Sequence, residues 1–242
     1  MRRLLTITVL MTLGWVGSAA ASTVSATLTP DTVSSAATAS VSIAGVTGFS
    51  TLPSSLEVLL QRGFASSARS VSALCTATQS SGSSCPTASQ VGTGSVGISL
   101  FGSPATVPVT LFLGEPLEPG DIASVVMSGM FAGSRLTVSG RLFVPPQRGL
   151  ELLFSPFPSV PVTLDSLSLS FGASHTVTRT VHKIVFVGTG RHRHKKRVKR
   201  RVKTVYSLIT TPSSCSRTWT GTATLTYTTG SISLPISVPC TT

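Results

Sequence analysis

The chain has 242 residues, of which 41% are hydrophobic and only 11% are charged, with 19 Lys and Arg against 7 Asp and Glu. This length is compatible with one large β domain or two small ones. The positive charge is concentrated in one stretch, which excludes a generally basic protein, and no apolar run after the N-terminal segment is long enough to span a bilayer.

The N-terminal 21 residues have the organisation of a secretory signal peptide. Met1-Arg2-Arg3 is a charged start, Leu4 to Val16 is apolar, and Ala19-Ala20-Ala21 is a small-residue cleavage site. We expect cleavage after Ala21 and a single exported domain over 22–242. The alternative is an N-terminal membrane anchor, although the apolar run is shorter than the roughly 20 residues that a span needs.

Alternating apolar residues recur through the exported part, and they predict β-strands. The last pair of strands is expected to turn at Thr229-Gly230, and a phase change at Asp165-Ser166 predicts a bulge. The best helix candidate, Ser54 to Gly63, is short and ambiguous. The clearest strand patterns cover 107–113, 135–144, 162–171, 219–227 and 232–238. The sequence therefore predicts an all-β fold, a β-sandwich (Ig-like or related) or barrel, with a long basic hairpin inserted.

The four cysteines all lie in the part expected to be exported, and their number is even. Disulfides are the natural interpretation outside the cytoplasm, and four cysteines allow three connectivities. We favour Cys75–Cys85 and Cys215–Cys240, because each pair is close in sequence. In a strict hairpin Cys240 would lie opposite Trp219 or Thr220, so the chain must bend after Cys215 for the sulfurs to meet.

A strongly basic hairpin is expected at about 176–206. A strand pattern over 176–187 is followed by Gly188-Thr189-Gly190 and then by a dense run of cations. Repulsion among these charges favours a mobile tip unless an anion is bound. The nine predicted polyanion-binding residues are Arg191, Arg193, Lys195, Lys196, Arg197, Lys199, Arg200, Arg201 and Lys203.

The hairpin sequence favours a polyanion partner over other ligands. Candidate partners are an anionic wall polymer, an acidic lipid surface or extracellular nucleic acid. Sequence-specific nucleic-acid recognition is not expected, because aromatic residues are absent from the run apart from Tyr206. Neighbouring histidines such as His192 and His194 would strengthen anion binding when protonated. A solubilising loop, or an edge strand protected by its charges, is the alternative.

Residues 85–94 have the pattern CP-x-x-S-x-x-G-x-G, and the C-terminal cysteine pair encloses an aromatic residue at Trp219. In both features the chain resembles a family of uncharacterised secreted all-β proteins of soil actinobacteria. The chain departs from the family at Ser216-Arg217, where a Gly pair is usual, and at Thr229-Gly230, where Asp-Gly is usual. The resemblance implies export and a β domain, and it transfers no activity, ligand or catalytic residue.

No pattern in the sequence predicts catalysis, a metal or a cofactor. Gly92 to Gly97 matches G-x-G-x-x-G, but a strand-like segment follows where a nucleotide site needs a helix. Glu115, Glu118 and Asp121 cluster in a loop that could at most bind Ca²⁺ weakly. We therefore expect a non-enzymatic secreted or cell-envelope protein that attaches to an acidic polymer or membrane. The alternatives are a carbohydrate-active hydrolase with two facing carboxyl groups, or a structural surface protein without a ligand.

Overall fold

The structure is a computed structural model that describes residues 22–47, 49–82, 84–158, 162–187 and 194–242. These residues contain thirteen β-strands, one short α-helix and two single 3₁₀ turns at Ala68–Ser70 and Thr87–Ser89. The strands are β1 Thr23–Thr29, β2 Thr38–Ala44, β3 Ser55–Leu60, β4 Gln90–Leu100, β5 Ser103–Gly114, β6 Asp121–Phe131, β7 Ser134–Phe143, β8 Glu151–Phe154, β9 Thr163–Phe171, β10 Ser174–Val187, β11 His194–Ser207, β12 Thr218–Tyr227 and β13 Gly230–Pro239, and the helix is α1 Ala77–Ser81.

Eleven of the strands form one antiparallel sheet, in the order β1-β2-β9-β4-β5-β6-β7-β8-β3-β12-β13. Its two edges approach each other: the Thr241 amide donates to the Asp31 carbonyl at 2.9 Å, and the Val33 amide donates to the Thr241 carbonyl at 3.2 Å. The sheet is therefore nearly closed on itself, and its inner face forms the core. The all-β prediction is confirmed, with the strands joined in one continuous sheet.

Alternating burial follows the alternating sequence, as the two-residue period of a strand requires. In β5 the side chains of Val107, Val109, Leu111 and Leu113 are buried on the inner face. No helix among the described residues is long and apolar enough to cross a membrane. The predicted signal peptide lies outside the described residues.

Two local predictions have opposite outcomes. The bulge is confirmed, because the pairing of β4 with β9 passes from Gly97↔Ser166 to Ile98↔Leu164, so Asp165 has no opposite residue on β4. The helix candidate at 54–63 is wrong: the segment contains β3, in which Leu56 and Val58 are buried with a period of two. Pairing on both sides, with β8 and β12, outweighs any local helical preference.

Both predicted disulfides are confirmed, Cys75–Cys85 and Cys215–Cys240. The predicted register of the last hairpin is wrong, because Tyr227 pairs with Gly230 and the turn is therefore Thr228-Thr229. This register places Trp219 opposite Val238 and Cys240 beside Arg217, whose carbonyl accepts from the Cys240 amide at 3.0 Å. The expected bend after Cys215 is present at Arg217, which has a φ of 98°.

The glycines of the G-x-G-x-x-G match have a packing role. They lie within β4, and a Cβ atom at Gly92 or Gly94 would lie 2.3 or 2.2 Å from a carbonyl oxygen of β9. Only glycine permits this close approach of the two strands. The expectation that the match is unrelated to nucleotide binding agrees with this position, since a strand continues through and beyond the motif.

Candidate functional site

The basic hairpin consists of β10 and β11, which form a separate two-stranded sheet with the register Ser174↔Ser207 to Val187↔His194. It joins the body at its base. There the Leu208 amide donates to the Ala173 carbonyl at 2.8 Å, and the Arg69 guanidinium donates to the Tyr206 hydroxyl at 3.2 Å. The Arg69 guanidinium also lies over the Tyr206 ring, 5.4 Å from its centroid. Beyond this base the described side chains of 178–184 and 195–205 are exposed.

One face of the hairpin has a continuous line of positive charge. Because side chains alternate along a strand, the odd-numbered residues of β11 share a face. We call the five cations on this face the cation row: Lys195, Arg197, Lys199, Arg201 and Lys203. Successive members are about 6.8 Å apart and the row is about 27 Å long at 3.4 Å per residue. The residues paired with its last four members on β10 are uncharged or weakly basic: Ile184, His182, Thr180 and Thr178.

The opposite face of the hairpin alternates cations with valines, and we call it the valine face. Every charged residue on it is paired across the strands with a valine. Its cations are therefore separated by apolar side chains and form no unbroken line. The four pairs are Arg179↔Val202, Arg200↔Val181, Lys183↔Val198 and Lys196↔Val185.

The structure divides the predicted polyanion-binding residues between the two faces. Five of them form the cation row, Lys196 and Arg200 lie on the valine face, and Arg191 and Arg193 lie outside the described residues. Sequence reasoning missed Arg179 and Lys183, which β10 contributes to the valine face. The alternating pattern of β10 already indicates that Arg179 and Lys183 lie on one face of that strand. Which residues of β11 they lie opposite depends on the pairing register of the two strands.

The hairpin contains no counter-charge of its own. No Asp or Glu occurs between residues 174 and 207. Like charges on neighbouring positions of the row repel one another, and each charge is exposed to solvent. An anionic ligand lying along the row would relieve this repulsion, so the arrangement favours binding of a linear polyanion.

Two of the three loop acids form ion pairs with one arginine, Arg141. Arg141 contacts both Glu118 and Asp121 at 2.8 Å, and the Asp121 side chain is fully buried. Burial pushes the pKa of Asp121 upward, but the Arg141 hydrogen bond and the donation from the Glu118 amide outweigh it, so the pKa lies below its ordinary value. A positive charge in the centre of the cluster opposes the weak Ca²⁺ site that the sequence allowed.

A second pair of carboxylates lies on the outer face of β3 and β8. Arg148 Nη1 is 3.8 Å from Glu57 and 3.7 Å from Glu151, so one guanidinium links the two side chains. Glu151 is only 6% exposed. Burial first, and the charge of Glu57 second, raise the pKa of Glu151 against the opposing effect of Arg148. The pairing of β3 with β8 thus brings two carboxylates to one guanidinium.

The interior of the body is packed at one end and open at the other. At the end next to the hairpin, Trp219 and Phe64 meet edge to face with centroids 5.6 Å apart, and Leu208 and Ile209 are buried. The opposite end contains a cavity of about 220 Å³, and the described residues that line it are all apolar.

Fold and surface together define an all-β, disulfide-linked protein that carries a projecting basic hairpin. No protein-family model, curated protein or solved structure matches the chain. The function is therefore inferred from the geometry of the chain itself.

Proposed function

We propose that this is a secreted or cell-envelope, non-enzymatic protein that attaches to an acidic surface polymer through its basic hairpin. The observation that carries the proposal is the cation row, a line of five exposed cations on one strand face. The two disulfides and the predicted signal peptide support a location outside the cytoplasm.

Binding through the row is electrostatic. Each Lys or Arg that contacts an anionic group of the polymer releases condensed counterions, so the affinity falls steeply as salt is added. The side chains are exposed and separated by about 6.8 Å, less than the Debye length of about 8 Å at physiological ionic strength. A polymer with regularly repeated anionic groups can therefore contact several members of the row at once.

The valine face favours a polymer over a lipid surface. Insertion into a membrane interface needs a continuous apolar face, usually with aromatic side chains. On this hairpin each of the four valines that pair with cations lies directly opposite a charge, which interrupts the apolar surface. Binding to the cation row, by contrast, requires only an anionic polymer that lies along β11.

The experiment compares two triple variants with the same change in charge. The row variant carries Arg197→Ser, Lys199→Ser and Arg201→Ser, and the matched control carries Arg179→Ser, Lys183→Ser and Arg200→Ser on the valine face. Binding to linear polyphosphate and to heparin is measured from about 50 to 500 mM salt. Vesicles containing phosphatidylglycerol test the lipid surface, and circular dichroism checks that each variant is folded.

The row variant is expected to lower the slope of log K against log salt by about 3, and the control by less than 1. Equal losses in the two variants would show that net charge alone matters and would refute a role for the row. Retention that does not change with salt would refute electrostatic attachment altogether. Stronger binding to vesicles than to either polymer would assign the hairpin to a membrane instead.

The Glu57–Glu151 pair favours one second candidate, an extracellular carbohydrate-active hydrolase. A general acid needs a raised pKa, and burial gives Glu151 that property. Arg148 lies between the two carboxylates, however, and screens both of them. Release of reducing ends from wall polysaccharide by the wild type, abolished in Glu151→Gln, would establish this function in place of the first.

A further inference from the structure

We infer that the apolar cavity is a binding site for a single aliphatic chain of an amphiphile, separate from the proposed polyanion site. The cavity lies between the inner faces of the neighbouring strands β9, β4, β5, β6 and β7 on one side and those of β3 and β12 on the other. The lining includes Val109, Met127, Leu167 and Leu225 at its buried end.

The lining determines the chemistry of the ligand. Among the described residues, every side chain around the cavity is apolar, so nothing in the lining pairs with a hydrogen-bonding group of a ligand. A polar group taken into such a site would lose its hydration without compensation. The enclosed part of the ligand is therefore a hydrocarbon.

The volume sets the length of the chain. A cavity of about 150 Å³ in a protein core is known to hold the six carbons of benzene. The 220 Å³ available here accommodates about eight to ten carbons on the same scale.

In the part of the chain that the structure describes, the cavity is open to solvent at one end, where a head group can remain outside. The lining residues at that end are partly exposed and include Leu100, Phe131 and Phe157. Next to Leu100, Phe101 in the β4–β5 turn is 90% exposed. Apolar side chains around the opening give an incoming hydrocarbon chain a first contact.

Position along the strands separates this site from the hairpin. β9 begins beside the cavity, where Thr163 pairs with Ser99, and ends at Phe171, two residues before the hairpin base at Ala173. Its length is about 27 Å at 3.4 Å per residue. The opening and the hairpin thus lie at opposite ends of the body.

The test uses neutral 1-alkanols from hexanol to dodecanol, because an uncharged ligand has no attraction for the basic hairpin. Affinity is measured by calorimetry on the intact protein. We expect it to rise by up to about fourfold for each added methylene and to stop rising at about eight to ten carbons. Absence of binding across the series, or a rise that continues unchanged to dodecanol, would overturn the proposal.

Two variants fill the cavity from different directions. Val109→Phe acts from the buried end and Leu136→Trp from the partly exposed end, while Val144→Phe makes the same substitution as the first at an exposed position outside the cavity. Each filling variant is expected to weaken decanol binding at least tenfold, and Val144→Phe is expected to leave it unchanged. If Val109→Phe does not fold, Leu136→Trp decides, and wild-type affinity in Leu136→Trp would refute the site.

Discussion

Asp121 and Glu151 show how burial affects two acids of this chain in opposite ways. The Asp121 side chain is fully buried but receives hydrogen bonds from Arg141 at 2.8 to 3.1 Å and from the Glu118 amide at 3.0 Å. Glu151 is almost as buried, yet its nearest cation, Arg148, is 3.7 Å away and is shared with Glu57. The balance between desolvation and hydrogen bonding therefore lowers the pKa of one carboxyl and raises that of the other.

Asp121→Asn is expected to lower the free energy of unfolding at pH 7 by about 1 to 3 kcal/mol, because charge-assisted hydrogen bonds to a buried acceptor are lost. A lowered pKa in the folded state stabilises the protein above the ordinary value of 3.8, and this contribution disappears as the pH falls through the lowered pKa. The difference between wild type and variant should thus shrink in urea denaturation curves recorded at progressively lower pH. A difference that stays constant with pH would contradict the ion pair.

Glu151→Gln is the matched comparison for Asp121→Asn. Because the pKa of Glu151 is raised and not lowered, the effect of pH on stability is expected to have the opposite sign. A raised pKa means that the folded state favours the protonated acid, so the wild type gains stability as the pH falls through that pKa. Relative to wild type, Glu151→Gln should be most stable near neutral pH and should lose this advantage on acidification. The same urea titration measures both variants, and parallel pH profiles would show that burial of Glu151 has no energetic consequence.

At the scale of elements, the hairpin was predictable from sequence in part. Alternation and the glycine break predict two strands and a cation run, without dividing the cations between the two faces. The partner of each cation was not predictable, because it depends on a pairing register that the local sequence does not encode. For the same reason the predicted turn of the last hairpin, Thr229-Gly230, differs by one residue from the observed turn, Thr228-Thr229.

The packing of the interior, too, could be predicted from the sequence only in part. The sequence indicates which residues of each strand face inward, and Val107 to Leu113 are buried as their alternation predicts. A cavity, however, arises from the summed volumes of side chains on seven strands and their connections, which no local pattern reports. Likewise, Arg148 joins Glu57 to Glu151 across 94 residues of sequence only because β3 pairs with β8.

Excision of the hairpin is expected to leave the body folded. Ala173 and Leu208 are joined by a backbone hydrogen bond of 2.8 Å, so a short Gly-Ser linker can replace residues 174–207. The hairpin forms its own sheet and adds no strand to the eleven-stranded one. The excised protein should lose polyphosphate binding, retain decanol binding and melt within a few degrees of the intact protein; loss of cooperative unfolding would show that the body depends on the hairpin.

At the scale of the whole molecule, the two disulfides have different positions relative to the closure of the sheet. Cys75–Cys85 fixes a local loop, and Cys75 is bonded through its backbone to Leu113 and Glu115 around the end of β5. In the second disulfide, Cys215 precedes β12 and Cys240 follows β13. The residue after Cys240, Thr241, forms a backbone hydrogen bond with Asp31, which lies just beyond the end of β1. The second disulfide therefore restrains the chain where the two edges of the sheet meet.

Removal of Cys215–Cys240 by double substitution to Ala is expected to lower the free energy of unfolding by about 3.5 kcal/mol. Removal of Cys75–Cys85 is expected to lower it by about 2.8 kcal/mol, because this disulfide closes a shorter loop and therefore removes less entropy from the unfolded chain. The location of the effect is the sharper test. Without Cys215–Cys240, amide hydrogen exchange should accelerate in both β13 and β1, because the contact between these edges loses its restraint. Without Cys75–Cys85, faster exchange should stay near α1 and the end of β5. Unchanged protection of β1 in the first variant would show that the edges remain together without the disulfide.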